Sequence, residues 1–207
     1  MPFRHSCFIS YRHAQHQLMR RFVQDFHEAL ASELEALVEL PLYRDAERLQ
    51  GGDFFNPALS RGLCESVCMI MVFTPTYFSH DHSYCAREFA AMTRLEQQRL
   101  PARPEQGLII PVSVRGFDQV PDEIKSTRQV YKFDHFTMSG PKLIRDKKFD
   151  IEISRIANYV AARCKDLRAL SIDCEGFAIP GHTDAEVASL LSRTVGSGPA
   201  FPGRGDQ

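Results

Sequence analysis

Val67-Cys-Met-Ile-Met-Val-Phe73 is a run of seven apolar residues with no polar interruption. A strand with one wet face alternates between apolar and polar residues. An unbroken run of strand length instead fits a strand buried on both faces, at the centre of a parallel sheet covered above and below by helices. Parallel strands need long crossover connections, so the rest of the chain must supply further strands and the helices that join them.

It does so in alternation. Ser6–Tyr11 reads as a first short strand. From Gln15 to about Val38, Leu18, Phe22, Phe26, Leu30, Leu34 and Leu37 recur every three or four residues, which predicts a helix with one apolar stripe. Leu40–Tyr43 is a brief strand with Pro41 at its start or on an edge. Gly51 and Gly52 break the chain, and Pro57, well placed at a first helical position, opens a helix to about Glu65. After the central run come a helix over about 83–98, strands at 108–114 and 129–133, and a long helix from roughly Lys148 to Lys165. Alternating strands and helices predict an α/β fold, a flavodoxin-like three-layer sandwich. Its sheet would be parallel and five-stranded, in the order 2-1-3-4-5, with helices on both faces. Ligands on such sheets bind beyond the carboxyl ends of the strands, which selects the loops after Tyr11, Tyr43 and Phe73.

The last forty residues are different in kind. Thr183-Asp-Ala-Glu186 reads as a capping box that opens a short helix carrying Val187, Leu190 and Leu191. Beyond Thr194 the chain is rich in Gly and Pro and predicts a disordered tail. The expected division is a domain over 1–166, a small helical extension over 167–194 and a tail over 195–207. The Arg204-Gly-Asp206 triplet in that tail is read as chance.

Net charge is −1, so a general affinity for nucleic acid or an anionic membrane has no global electrostatic support. There is no signal-peptide pattern and no run near the ~20 apolar residues that cross a bilayer, which predicts a cytoplasmic protein. Cysteines 7, 64, 68, 85, 164 and 174 show no repeated spacing. They are expected to be reduced and mostly buried, without a metal site. His80-Asp81-His82 reads as a solvated loop, and Lys142, Arg145, Lys147 and Lys148 as charged surface.

The loops discriminate among the chemistries that this architecture hosts. The segment after strand 1, Arg12-His-Ala-Gln-His16, has no Gly, Ser or Thr to cradle a flavin phosphate. The central strand ends Phe73-Thr74-Pro75, without the Asp of a phosphorelay receiver. By contrast, Phe8-Ile-Ser-Tyr-Arg12, Arg44-Asp45 with Leu49 and Gly52, Phe73-Thr-Pro-Thr-Tyr77, and Ser83-Tyr-Cys-Ala-Arg-Glu88 stand in an order and spacing that resemble Toll/interleukin-1 receptor (TIR) domains of the NAD-cleaving bacterial type. The resemblance covers about residues 5–165.

Glu88 is the residue on which function turns. Tyr84, Ala91, Met92 and Leu95 lie at helical spacings from it, so it sits on or beside an apolar stripe. Read from the residues alone, it is either a partly desolvated functional carboxylate or a helix-start Glu paired with Arg87 or Arg12. The resemblance implies the former: NAD-cleaving TIR domains carry an essential Glu in a Ser-x-Trp-Cys-x-x-Glu motif. Here Ser83, Cys85 and Glu88 are kept, and Tyr84 replaces Trp. The same resemblance places Ser10, Tyr11, Arg12, Asp45, Leu49, Gly52, Ser83, Tyr84 and Cys85 around the substrate. By themselves Tyr84 equally suits a core aromatic and Arg12 a surface arginine, while Asp45 suits a residue that fixes its loop.

The activity that the resemblance implies is that of an NAD+ glycohydrolase or cyclase. It would release nicotinamide and leave ADP-ribose or a cyclic isomer, with NAD+ as substrate and no metal or separate cofactor. The setting would be immune or antiviral defence signalling. Self-association through loop 44–56, which carries Phe54 and Phe55, would activate it, and another defence protein is a candidate partner. The leading alternative is a non-catalytic TIR adaptor that works by TIR–TIR contact, and a nucleoside deoxyribosyltransferase-like activity is a distant third.

Overall fold

A computed structural model describes residues 2–12, 17–43, 57–80, 83–101, 106–136, 146–181 and 184–195. Strands β1 (His5–Tyr11), β2 (Ser66–Phe73), β3 (Ile109–Ser113) and β4 (Tyr131–Lys132) form one sheet in the order β1-β2-β3-β4. Every pairing is parallel. All eight residues of β2 are buried, as its unbroken apolar run requires of an interior strand. The helices are α1 (Gln17–Glu35), α2 (Pro57–Cys64), α3 (Tyr84–Arg99), α4 (Asp122–Thr127), α5 (Lys147–Asp166) and α6 (Ala185–Val195). α1 packs on α5 and α5 on β1 and β2, while α2 and α3 pack on each other and on β1.

The sheet has four strands among the described residues, which corrects the expected five. Residues 41–43 run along the free edge of β1 and make two backbone bonds to it. Ser6 N–H donates to Pro41 O at 2.8 Å, and Tyr43 N–H to Cys7 O at 2.9 Å. Pro41 has no N–H to extend that ladder. β4 is likewise shorter than the expected 129–133, although Phe133 N–H still reaches Ser113 O at 2.7 Å.

The α1 stripe buries Phe22, Phe26, Leu30 and Leu34, but Leu18 and Leu37 at its two ends are exposed. The periodicity outruns the layer that it covers. Within that layer Phe133 meets Phe22, Phe26, Phe136 and Phe149 with ring centroids 5.3–5.8 Å apart, mostly edge-on.

On the opposite face Tyr43 closes the outer edge. Its ring stacks on Phe8 at 5.2 Å and meets the edge of His5 at 5.0 Å. It also lies directly over Gly62 of α2, where a Cβ would fall 2.3 Å from the ring. The Tyr43 hydroxyl reaches Ala58 O at 3.5 Å.

Glu96 fixes the entry to β3. Its Oε2 accepts from Leu108 N–H at 2.5 Å and Ile109 N–H at 3.2 Å. Both of its oxygens accept from the Arg128 guanidinium, at 2.6 and 2.8 Å. Hydrogen bonds to a charged group contribute more than neutral ones. Glu96→Gln, which swaps one acceptor for a donor facing Arg128 or the backbone, is expected to lower unfolding free energy by about 2 kcal/mol in urea titration. An unchanged midpoint would show that this cluster adds nothing to stability.

The cysteine expectation is corrected. Cys64 at the end of α2 and Cys174 in the extension form a disulfide, while Cys7, Cys68, Cys85 and Cys164 are free and buried. The pair is 110 residues apart, a separation that sequence spacing cannot flag. The extension is built into the main core through Leu167, Ile172, Ile179, Val187 and Leu191. Polar ties reinforce it. Ile179 N–H donates to Ser60 Oγ at 3.4 Å, Arg87 Nε to Pro180 O at 2.5 Å, and Arg94 to both Asp184 and Glu186 at about 3 Å. Asp184 Oδ1 accepts from Glu186 N–H at the start of α6 and so takes the capping role, whereas Thr183 lies outside the described residues. No helix among the described residues is long and apolar enough to cross a membrane.

Candidate active site

β1 and β2 end side by side, with Ser10 opposite Met71 and Tyr11 opposite Val72. The chain leaves β2 through Thr74 and Pro75, and a turn returns Tyr77 and Phe78 to the core. α3 then starts at Tyr84, one residue after Ser83, whose side chain makes no capping bond. This is the carboxyl edge of the sheet, where open α/β folds place ligands. Cys85 and Glu88 occupy the inward face of the first two turns of α3, and Tyr84 the outward side.

Glu88 is 7% exposed, a carboxylate set into the apolar interface between α3 and the sheet. Ser10 lies beneath it. The Ser10 hydroxyl donates to Glu88 Oε2 at 2.5 Å and sits 2.6 Å from the Tyr77 hydroxyl, with all three groups buried. The low-dielectric surroundings and the Glu88 charge act on their neighbours. Burial first, and Glu88 second, push the Cys85 thiol well above its usual range, so it stays protonated and is no nucleophile. Burial, then Cys85 and Glu88, do the same to the Tyr77 phenol.

The other expected site residues fall on the rim or outside the described residues. Arg12 is half-buried and donates from Nη1 to Thr76 O at 3.3 Å, tying the end of β1 to the β2 loop. Tyr11 and Ser83 are half-buried. Tyr84 is 38% exposed, one helical turn before Glu88, with the Arg87 guanidinium 5.7 Å from its ring centroid. Burial lowers the pKa of Arg87, partly offset by Tyr84 and Glu88. Ser10 is 1% exposed and faces Glu88 rather than solvent, so it supports the carboxylate from within. Asp45, Leu49 and Gly52, with Phe54 and Phe55, lie outside the described residues, as do Asp81, His82, Lys142 and Arg145. His80, Lys147 and Lys148 are exposed.

Tyr77 is the residue that sequence reading did not assign to the site. It stands in the quoted Phe73–Tyr77 segment, but nothing in that segment signals contact with a residue 67 positions earlier. A cleft of about 840 Å³ also opens along β4 and α5, lined among others by Lys132, His135, Glu152 and Arg155. β4 and β1 are opposite edges of the sheet, so this cleft is separate from Glu88.

Chemically, the described site offers one buried, anchored carboxylate beside an aromatic rim at the mouth of a parallel sheet. Such a group can accept hydrogen bonds from sugar hydroxyls and stabilise a positive centre developing nearby. No curated protein matches the chain. A sequence profile of the TIR domain does, over residues 7–144, about two thirds of the length. That span contains β2, β3, β4, all of β1 but its first two residues, and the Ser10–Tyr77–Glu88 cluster, and with it the chain belongs to the TIR domain family.

Proposed function

We propose that this TIR domain cleaves NAD+ at the bond between nicotinamide and ribose. The observation that carries the reading is Glu88, a carboxylate 7% exposed at the carboxyl edge of the sheet with one oxygen held by Ser10. A purely adhesive domain gains nothing from such a group, since burying a carboxylate costs several kcal/mol unless it is well bonded. In the proposed reaction the N-glycosidic electron pair leaves with nicotinamide, and the ribose C1′ becomes oxocarbenium-like. Glu88 stabilises that charge and orients the ribose hydroxyls. Water attack then gives ADP-ribose with release of a proton, whereas attack by a ring nitrogen of the adenine gives a cyclic isomer. Tyr84 on the rim is proposed to stack on the substrate, and Arg12 at the end of β1 to meet the pyrophosphate. Asp45, Leu49, Gly52, Ser83 and Cys85 complete the proposed surroundings.

Self-association through residues 44–56 is proposed to complete the site, in a defence signalling role, with another defence protein as a candidate trigger. A cytoplasmic setting, where NAD+ is held, goes with this reading. The Cys64–Cys174 bond must then persist against a reducing thiol pool, and Cys64 is fully shielded from solvent. The test is incubation of purified protein with NAD+ over a wide range of protein concentrations, with products resolved by chromatography. Nicotinamide should appear in step with ADP-ribose plus cyclic isomer, and specific activity should rise steeply with concentration. Intact NAD+ even in concentrated, assembled protein would favour the adaptor reading. Constant specific activity on dilution would reject assembly as the activating step.

A further inference from the structure

Ser10 carries a single hydroxyl proton, and the donor to Glu88 Oε2 at 2.5 Å is that proton. The contact between Ser10 Oγ and the Tyr77 hydroxyl, at 2.6 Å, must then run the other way, from the phenol to the serine. A directed chain results: Tyr77 donates to Ser10, and Ser10 donates to the Glu88 carboxylate. Its three members come from three parts of the fold, the end of β1, the turn after β2 and the second turn of α3. Tyr77 is fully buried, out of reach of any substrate, and its ring is wedged edge-on against Phe78 at 4.9 Å and tilted over Phe73 at 6.2 Å. Among the described residues, the hydrogen-bond partner of the phenol is Ser10.

We propose that Tyr77 is a positioning residue, which acts through Ser10 to hold the Glu88 carboxylate in one orientation and in its ionised form. This rests on the reading of Glu88 as the catalytic group. Bonds donated to the charged form of a carboxyl favour that form and offset part of the cost of burying it. Burial keeps the phenol protonated and thus a permanent donor. Among the described residues, the titratable and charged groups facing this cluster include Tyr77 from the β2 turn, Cys85 and Arg87 from the helix of Glu88, and Arg12 at the end of β1, whose charge acts on Cys85. Ser10 also bonds the Cys85 thiol, but its short contact, 2.6 Å, is with the Tyr77 hydroxyl.

The experiment is a double-mutant cycle of Tyr77→Phe and Ser10→Ala in the full chain, read in two ways. The first is the pH titration of the Glu88 side-chain carboxyl by carbon NMR, which needs no substrate. Tyr77→Phe should raise its proton affinity by about tenfold, and Ser10→Ala by at least as much. In the Ser10→Ala background Tyr77→Phe should add nothing, because the link is already cut. The second is nicotinamide release. Tyr77→Phe should lower kcat about tenfold with little change in KM, and move the acid limb of kcat/KM to higher pH. An unmoved Glu88 titration in folded Tyr77→Phe protein, or equal effects of Tyr77→Phe with and without Ser10, would overturn the proposal. If the wild-type protein releases no nicotinamide, the NAD-cleaving reading falls, while the titration still decides whether Tyr77 controls Glu88.

Discussion

Replacing Glu88 by glutamine should reduce nicotinamide release by on the order of 100-fold or more, at unchanged melting temperature within a few degrees. Glutamine keeps the volume of the side chain and can keep an acceptor for Ser10, so the packing between α3 and β1 survives. What the proposed mechanism loses is the negative charge that would face the ribose as its positive charge develops. Removing a preorganised electrostatic partner of a transition state in a buried site costs that much because no water stands ready to replace it. Turnover within tenfold of wild type, in a protein with native circular dichroism, would show that Glu88 is a structural carboxylate and that the chemistry lies elsewhere.

The second large effect concerns stability. The Cys64–Cys174 bond closes a loop of 110 residues that contains β2, α3, β3, α4, β4 and α5. In the chain-entropy account a loop of that size contributes about 4–5 kcal/mol, by restricting the unfolded chain. Cys174→Ser should therefore lower Tm by on the order of 10 °C in a protein of this length, and wild type in a strong dithiol reductant should show a similar fall. Buried contacts of Ile172, Ile179, Val187 and Leu191 should keep the extension docked at room temperature even so. A Tm that responds to neither change would mean that the bond is incidental to folding.

How much was legible in the sequence depends on the range of each signal. β2, α1 and α5 are written in runs and periodicities within one element, and the fold returns them nearly at the expected bounds. Glu88 was legible for the same reason: its apolar neighbours lie on its own helix. Ser10 belongs to a strand-end motif visible in the sequence, but its burial under Glu88, and its bond to Tyr77, depend on where β1 and the β2 turn meet in space. The disulfide escaped because its partners share no local pattern. The expected strand at 40–43 failed for a smaller reason: a proline removes one donor, and two backbone bonds to β1 are all that this segment makes there. The loop-borne part of the expected site, Asp45, Leu49 and Gly52, lies outside the described residues.

The placing of Tyr43 has a consequence for how freely the segment after it can vary. One ring lies between Phe8 of β1 and Gly62 of α2, and its hydroxyl comes within 3.5 Å of Ala58. These contacts tie Tyr43, where the chain leaves for residue 44, to the helix that begins at Pro57. For a segment with clamped ends the closure entropy grows only logarithmically with length, about 0.6 kcal/mol for each doubling. The closure cost of a change in the length of 44–56 is correspondingly small. The junction of β1 with α2 thus leaves the length of that segment open to change at little entropic cost.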